Sequence, residues 1–208
     1  MYTVCLDLES VLIPEIWVTI AEATGIKELQ LTTRDIPNYD VLMKQRLKVL
    51  SSHNLKFEDI QKIINPIEPF DGALVFLNWL RKYFPTIILT DCFYELVTPL
   101  VEKLAYPTIF SNFLELDKQG FINNYWLRQQ NGKLETLKAL KKLNFKTIAI
   151  GDSYNDVDML READIGIFFK PSQRVRIEFP NFPVVNSYDE LKTQLNQYAI
   201  PLDSKFWF

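Results

Sequence analysis

Asp7 and Glu9, in the stretch VCLDLESVL, are two carboxylates separated by one leucine at the end of an apolar run. A strand that only had to end would use Gly, Asn or Pro, which turn the chain at no electrostatic cost. In an extended chain the two acids project from one side, roughly 6.5 to 7 Å apart at Cα for a rise of about 3.3 Å per residue. They repel each other and call for a cation. Two more runs end on polar groups: TIILTD closes on Thr90 and Asp91, and KTIAIGDSYND on Asp152, Asn155 and Asp156. Lys133 stands between them in the chain, at the start of a helical pattern from Leu134 to Leu143. Carboxylates, a hydroxyl and an ammonium, with no histidine or cysteine among them, form an oxygen donor set that suits a hard cation such as Mg²⁺. Mg²⁺ among acids points to phosphate as the other party, because phosphoryl transfer asks chiefly for position and charge neutralisation. Asp7 can then attack phosphorus and form an aspartyl phosphate. Glu9 can protonate the leaving oxygen and later deprotonate water, a role that wants a carboxyl pKa raised by neighbouring negative charge.

Three short runs rich in β-branched residues carry these groups: Thr3 to Asp7, Thr86 to Asp91 and Lys146 to Asp152. They are too continuously apolar to be half-exposed strands. Helix-period segments, ALVFLNWLRKYF and LETLKALKKLNF, precede the second and third. Strands alternating with helices predict an α/β fold, a Rossmann-like parallel sheet with helices on both faces. In such a sheet ligands gather outside the carboxyl ends of the strands, where these acids fall. Weaker strands are expected at Ala163 to Phe169 and Phe182 to Asn186.

Two stretches depart from that alternation. Residues 14–70 are helical in pattern with no strand run, and read as a helical cap inserted after the first strand; 1–13 and 71–208 then form the core domain. IFSNFLELDKQGFINNYWLRQ alternates apolar residues about the turn-like Asp117 to Gly120 and predicts a small β-hairpin. The closing DSKFWF has no place in the sheet and reads as a docking tail or a disordered end.

Composition narrows the class. At 208 residues, 48% hydrophobic and 13% aromatic, the chain can bury a substantial core. Its 23 basic and 26 acidic residues leave a net charge of -3 with no basic run beyond pairs such as Lys141 and Lys142, which argues against nucleic acid as a partner. Cys5 and Cys92 sit in or beside apolar runs and read as buried free thiols, with the cytoplasm as the default location. An N-terminus that meets acid at Asp7, with no long apolar stretch after it, speaks against a signal peptide and a membrane span. Four tryptophans and nine tyrosines leave room for an apolar interface, so a homodimer stays open. His53, in SSHN, is read as a loop residue without a role.

DLESV, ILTD, Lys133 in NGKLETLKAL and GDSYND, in that order, resemble the four motifs of the haloacid dehalogenase superfamily of phosphatases. Within it the chain resembles the phosphoserine phosphatases. CLDLESVLIPEIW, TTRDIPNYDVLMKQRL and GDSYND are most similar to the bifunctional type that is both phosphoserine phosphatase and phosphoserine:homoserine phosphotransferase. The likeness runs from Tyr2 to about Leu191 and includes the cap. It implies Asp7 as nucleophile and Mg²⁺ ligand, and Glu9 as acid and base with its main-chain carbonyl on the metal. It implies Thr90 on a phosphate oxygen, Lys133 between phosphate and Asp7, Asp152 as the third protein ligand of Mg²⁺, Asp156 orienting it, and Asn155 near the phosphate. Glu15 and Arg46 match the residues that grip the ammonium and carboxylate of phosphoserine, and an arginine fork pairs bidentately with a carboxylate. Asp91 is counted with these substrate-side residues. One departure stands out: most of the superfamily carries aspartate where Glu9 stands, and the longer arm shifts where the proton is delivered, toward an alcohol acceptor such as homoserine.

Each residue also has a plainer use. Asp152 can cap a helix, Glu15 can cap the helix that starts EIWV, and Lys133 and Arg46 can sit on solvated faces. A flavodoxin-like phospho-acceptor module would also use strand-end aspartates, Mg²⁺, a threonine and a lysine. It would not insert a cap of this size, which suits a water-excluding lid over a small substrate.

Overall fold

The computed structural model describes residues 1–33, 35–36 and 38–200. The DSKFWF segment lies outside them. Seven strands form one sheet in the order β4-β3-β2-β1-β5-β6-β7. They are β1 (Tyr2–Leu6), β2 (Thr86–Phe93), β3 (Ile109–Leu116), β4 (Ile122–Trp126), β5 (Lys146–Gly151), β6 (Ile165–Phe169) and β7 (Val184–Val185). All neighbours run parallel except β3 and β4. The expected hairpin is therefore present, and β3 joins it to the main sheet by pairing with β2.

The apolar strand residues divide between two sides. Val4, Leu6, Ile88, Ile148 and Ile150 belong to one buried cluster, and Cys5, Leu89, Ala149 and Phe168 to the other. This is the period-2 alternation of a strand covered on both faces, which is why the sequence runs apolar without a break. Burying each such side chain contributes about 1.5 to 3 kcal/mol.

The chain between β1 and β2 holds α1 (Ile16–Thr24), α2 (Tyr39–Ser52), α3 (Phe57–Ile64) and α4 (Ala73–Tyr83). Where it leaves and rejoins the sheet, Phe70 N donates to Leu12 O at 2.9 Å. Phe57 N, at the head of α3, donates to Gly120 O in the hairpin turn, also at 2.9 Å. The rest of the covering helices are α5 (Tyr94–Lys103), α6 (Gly132–Lys142), α7 (Val157–Glu162), α8 (Gln173–Glu178) and α9 (Tyr188–Leu195). Both cysteines are free and buried. Among the described residues, no helix is long and apolar enough to cross a membrane.

Candidate active site

The register of three adjacent strands brings their acidic ends together. Leu6 pairs with Ile88 on one side and Ile150 on the other, and Asp7 N continues the ladder to Ile150 O at 2.9 Å. Asp7 and Asp152 therefore follow the ends of β1 and β5 side by side, while Asp91 lies inside β2, which does not close there as expected but runs on to Phe93, past the stretch paired with β1. Lys133 enters from the first turn of α6 and is 5% exposed, so the solvated-face reading fails. Its Nζ lies 3.0 Å from Asp7 Oδ1, 2.7 Å from Asp156 Oδ1 and 3.6 Å from Asp91 Oδ2. Burial alone would push this ammonium down, but Asp156, Asp7 and Asp91 outweigh it and hold the pKa well above the ordinary lysine value.

Asp156 is fully buried and both its oxygens are engaged. Oδ1 takes Lys133, while Oδ2 accepts from Asp152 N at 2.9 Å and Ser153 N at 3.2 Å. It thus fixes the loop that carries Asp152, which does not serve as the cap of a helix; that place belongs to Ser153. Gly151 makes this possible, because a Cβ there would come within 2.4 Å of the Asp156 Cβ and Cγ. Gly151, inside KTIAIGDSYND, is a residue to which sequence reasoning gave no role. The glycine before an acidic pair was the available signal.

Asp7, Asp152 and Asp156 each offer a carboxylate oxygen within 4.8 Å of the others. Oxygen atoms in a buried acidic cluster fit a hard divalent cation. Asp156 turns one oxygen to Lys133 and the other to two main-chain amides; of the three, Asp7 and Asp152 are the candidate ligands. Burial raises the Asp7 carboxyl well above the ordinary value; Lys133 opposes this, while Asp156, Asp152 and Asp91 add to it. A bound cation would relieve that repulsion.

The first strand end also builds the opposite wall. Ser10 adopts φ 60°, and the chain folds back so that Glu9 Oε1 accepts from Ile16 N at 2.8 Å, the first amide of α1. Glu9 thereby occupies the place at the helix start that the sequence offered to Glu15. Glu15 makes no capping bond and instead accepts from Ser10 Oγ at 3.0 Å. Burial pushes the Glu9 carboxyl up to about 7, with Glu15 adding to it and the Ile16 amide, Arg46 and Lys133 opposing. The raised value matches the expectation, but desolvation leads and neighbouring charge comes second.

Arg46, on α2, is 6% exposed. Its guanidinium lies over the Trp17 ring at 4.5 Å, donates from Nη2 to Leu31 O at 2.7 Å, and keeps a buried Nε with no hydrogen-bond partner. Glu9, Glu15, Trp17, Tyr39 and Arg46 line a small cleft that reaches Asp7, Lys133 and Asp152. Thr90 is buried within β2 and its Oγ1 accepts from Cys92 N at 3.1 Å. Asn155 Nδ2 donates to Asp91 Oδ2 at 3.0 Å. All ten expected residues thus meet in this region: Asp7, Glu9, Glu15, Arg46, Thr90, Asp91, Lys133, Asp152, Asn155 and Asp156. Sequence reasoning missed Trp17 and Tyr39. Trp17 on α1 and Tyr39 on α2 carry no pattern that separates a cleft wall from ordinary core.

Residues 3–164 match the family model of the haloacid dehalogenase-like hydrolases. The chain is 50% identical to phosphoserine phosphatase ThrH of Pseudomonas aeruginosa over 93% of its own length and 95% of that protein. It is also 50% identical to a phosphoserine phosphatase of Pseudomonas syringae pv. tomato, over 91% of its length and 80% of the relative's. Among solved structures, an apo phosphoserine phosphatase superposes with a TM-score of 0.74 at 24% identity, covering 95% of this chain and 98% of the other. With the family model spanning most of the sheet and half of all aligned positions shared with two relatives over nearly their whole common length, the chain belongs to the haloacid dehalogenase-like hydrolases.

Proposed function

We propose that this chain is a Mg²⁺-dependent phosphoserine phosphatase that works through an aspartyl phosphate on Asp7 and also passes the phosphoryl group to homoserine. The observation that carries the substrate is Arg46: a buried guanidinium with an unpartnered Nε, facing Glu15 across a small cleft that ends at Asp7. A buried donor left without an acceptor is costly. The carboxylate of phosphoserine would satisfy it while the ammonium meets Glu15. The names of the two Pseudomonas relatives agree with this substrate.

Asp7 and Asp152 would hold Mg²⁺, together with the main-chain carbonyl of Glu9. The ion supplies charge neutralisation for the phosphoryl oxygens. An Asp7 oxygen attacks phosphorus as the bond to the serine oxygen breaks, and Glu9, protonated near neutrality, gives that oxygen its proton. Lys133 faces both Asp7 and the incoming phosphoryl oxygens, Thr90 and Asn155 bound the phosphoryl group, and Asp156 keeps Lys133 and Asp152 in position. After serine leaves, ionised Glu9 takes a proton from water or from the homoserine hydroxyl, whose oxygen attacks phosphorus and frees Asp7. The products are then phosphate or phosphohomoserine. Residues 14–70 act as the cap that excludes water, over a core of 1–13 and 71–208. The substrates are small molecules, and a homodimer in the cytoplasm is part of the same reading.

Incubation with phosphoserine and Mg²⁺, with and without homoserine, tests it by following phosphate and phosphohomoserine together. Arg46→Ala should raise KM for phosphoserine far more than for a phosphate ester without a carboxylate, and Asp7→Asn should abolish turnover. A sugar phosphate preferred over phosphoserine about tenfold in kcat/KM, on the scale where 1.4 kcal/mol is a factor of ten, would end the phosphoserine assignment.

A further inference from the structure

Two tyrosines outside the chemistry above tie α2 to the sheet. Tyr39 opens α2, and its phenol donates to the main-chain carbonyl of Asp91 at 2.8 Å. That carbonyl also accepts from Asn112 Nδ2 at 2.9 Å. Tyr125, on β4, donates to Asp40 Oδ1 at 2.6 Å. The two rings meet edge-on at 6.1 Å, and Tyr125 meets Phe93 at 5.9 Å. Further along α2, Leu42 and Arg46 stand three and seven residues from Tyr39, on one helix face. All three line the cleft.

The buried face of α2 is Leu42, Met43, Arg46 and Leu50. A face that includes a guanidinium is held less firmly by apolar packing than a wholly aliphatic one. Polar ties at the helix start therefore carry more of the burden of placing Arg46. We infer that Tyr39 and Tyr125 are positioning residues whose phenolic hydrogen bonds set the place of α2, and with it the selection by Arg46 of phosphomonoesters that carry a carboxylate. This rests on the function proposed above.

The test compares parent, Tyr39→Phe and Tyr125→Phe on phosphoserine and p-nitrophenyl phosphate, and adds hydrogen exchange of the α2 amides in the ligand-free proteins. Removal of the Tyr39 hydroxyl leaves the Asp91 carbonyl bonded to Asn112, so the core loses little. Losing one hydrogen bond of this kind corresponds to a change of roughly fivefold to tenfold. The expected result in both variants is a rise of that size in KM for phosphoserine, well beyond any rise in KM for p-nitrophenyl phosphate; in Tyr125→Phe, whose side chain does not line the cleft, kcat should stay within about twofold. Amides of residues 42–46 should exchange faster by a similar factor. Parental KM for phosphoserine, or an equal rise for both esters, overturns the inference. If the parent does not turn over phosphoserine, the proposed function fails and so does the selectivity assigned to the tyrosines. Exchange then decides the tie itself, and an unchanged α2 refutes it.

Discussion

Asp156→Asn isolates the cost of the buried charge network from the chemistry it supports. Both Asp156 oxygens are acceptors in use: one faces the Lys133 ammonium at 2.7 Å, the other two main-chain N–H groups at 2.9 and 3.2 Å. Asparagine has the same shape but one acceptor. Whichever way its amide turns, an NH₂ group faces either an ammonium or two N–H donors, and a buried donor loses its partner. Breaking a buried ion pair by altering one member costs about 3 to 5 kcal/mol. Lys133 keeps Asp7 at 3.0 Å, and Asp7 loses a repelling neighbour, so the lower end applies. For a protein of this length, roughly 3 kcal/mol corresponds to a fall in Tm of about 6 to 12 °C. Urea unfolding in metal-free buffer at pH 7, with circular dichroism and tryptophan fluorescence as coincident probes, reads the change directly. Asp158→Asn is the control: its pair with Arg161 is exposed at 3.6 Å and should matter by less than about 0.5 kcal/mol. An Asp156→Asn protein that unfolds at the parental midpoint would show that the network is not the dry, fully bonded one described.

Gly151→Ala should act through the same side chain, because the new methyl would sit 2.4 Å from an Asp156 that cannot move without losing three bonds; overpacking of this kind costs about 1 to 3 kcal/mol, readable as a lower urea midpoint. With the Glu9 carboxyl at about 7, its proton-donating form prevails below that pH, so kcat/KM for phosphoserine should fall about tenfold per pH unit above it; Glu9→Gln should remove that alkaline limb along with most of the rate. Chelation by EDTA should stop phosphate release and Mg²⁺ restore it, with Asp152→Asn requiring more Mg²⁺ than the parent. Burial pushes the Cys5 thiol up to about 12 and Cys92 well above its ordinary value, so native protein at pH 8 should take up no iodoacetamide over the time in which urea-unfolded protein reacts at both thiols.

The sequence alone determined the parallel α/β sheet and the location of Asp7 and Asp152 at its strand ends, whereas β2 runs on through Asp91 to Phe93. Unbroken β-branched runs such as Thr86 to Thr90 need cover on both faces, and two-sided burial leaves only the ends for charge. The order of the four short motifs around Asp7, Thr90, Lys133 and Asp152 was also legible, since each is local in the chain. Tertiary structure decided the partnerships. Glu9 rather than Glu15 meets the first amide of α1, because Ser10 turns the chain back at φ 60°. The commitment of Asp156 to Lys133 and to two amides, the close approach that leaves Gly151 without room for a side chain, and the phenols that join α2 to the sheet are contacts across 23, 5, 52 and 85 residues of chain. Periodicity reports which face a residue takes, whereas the partner found on that face depends on the register and packing of elements far away in sequence.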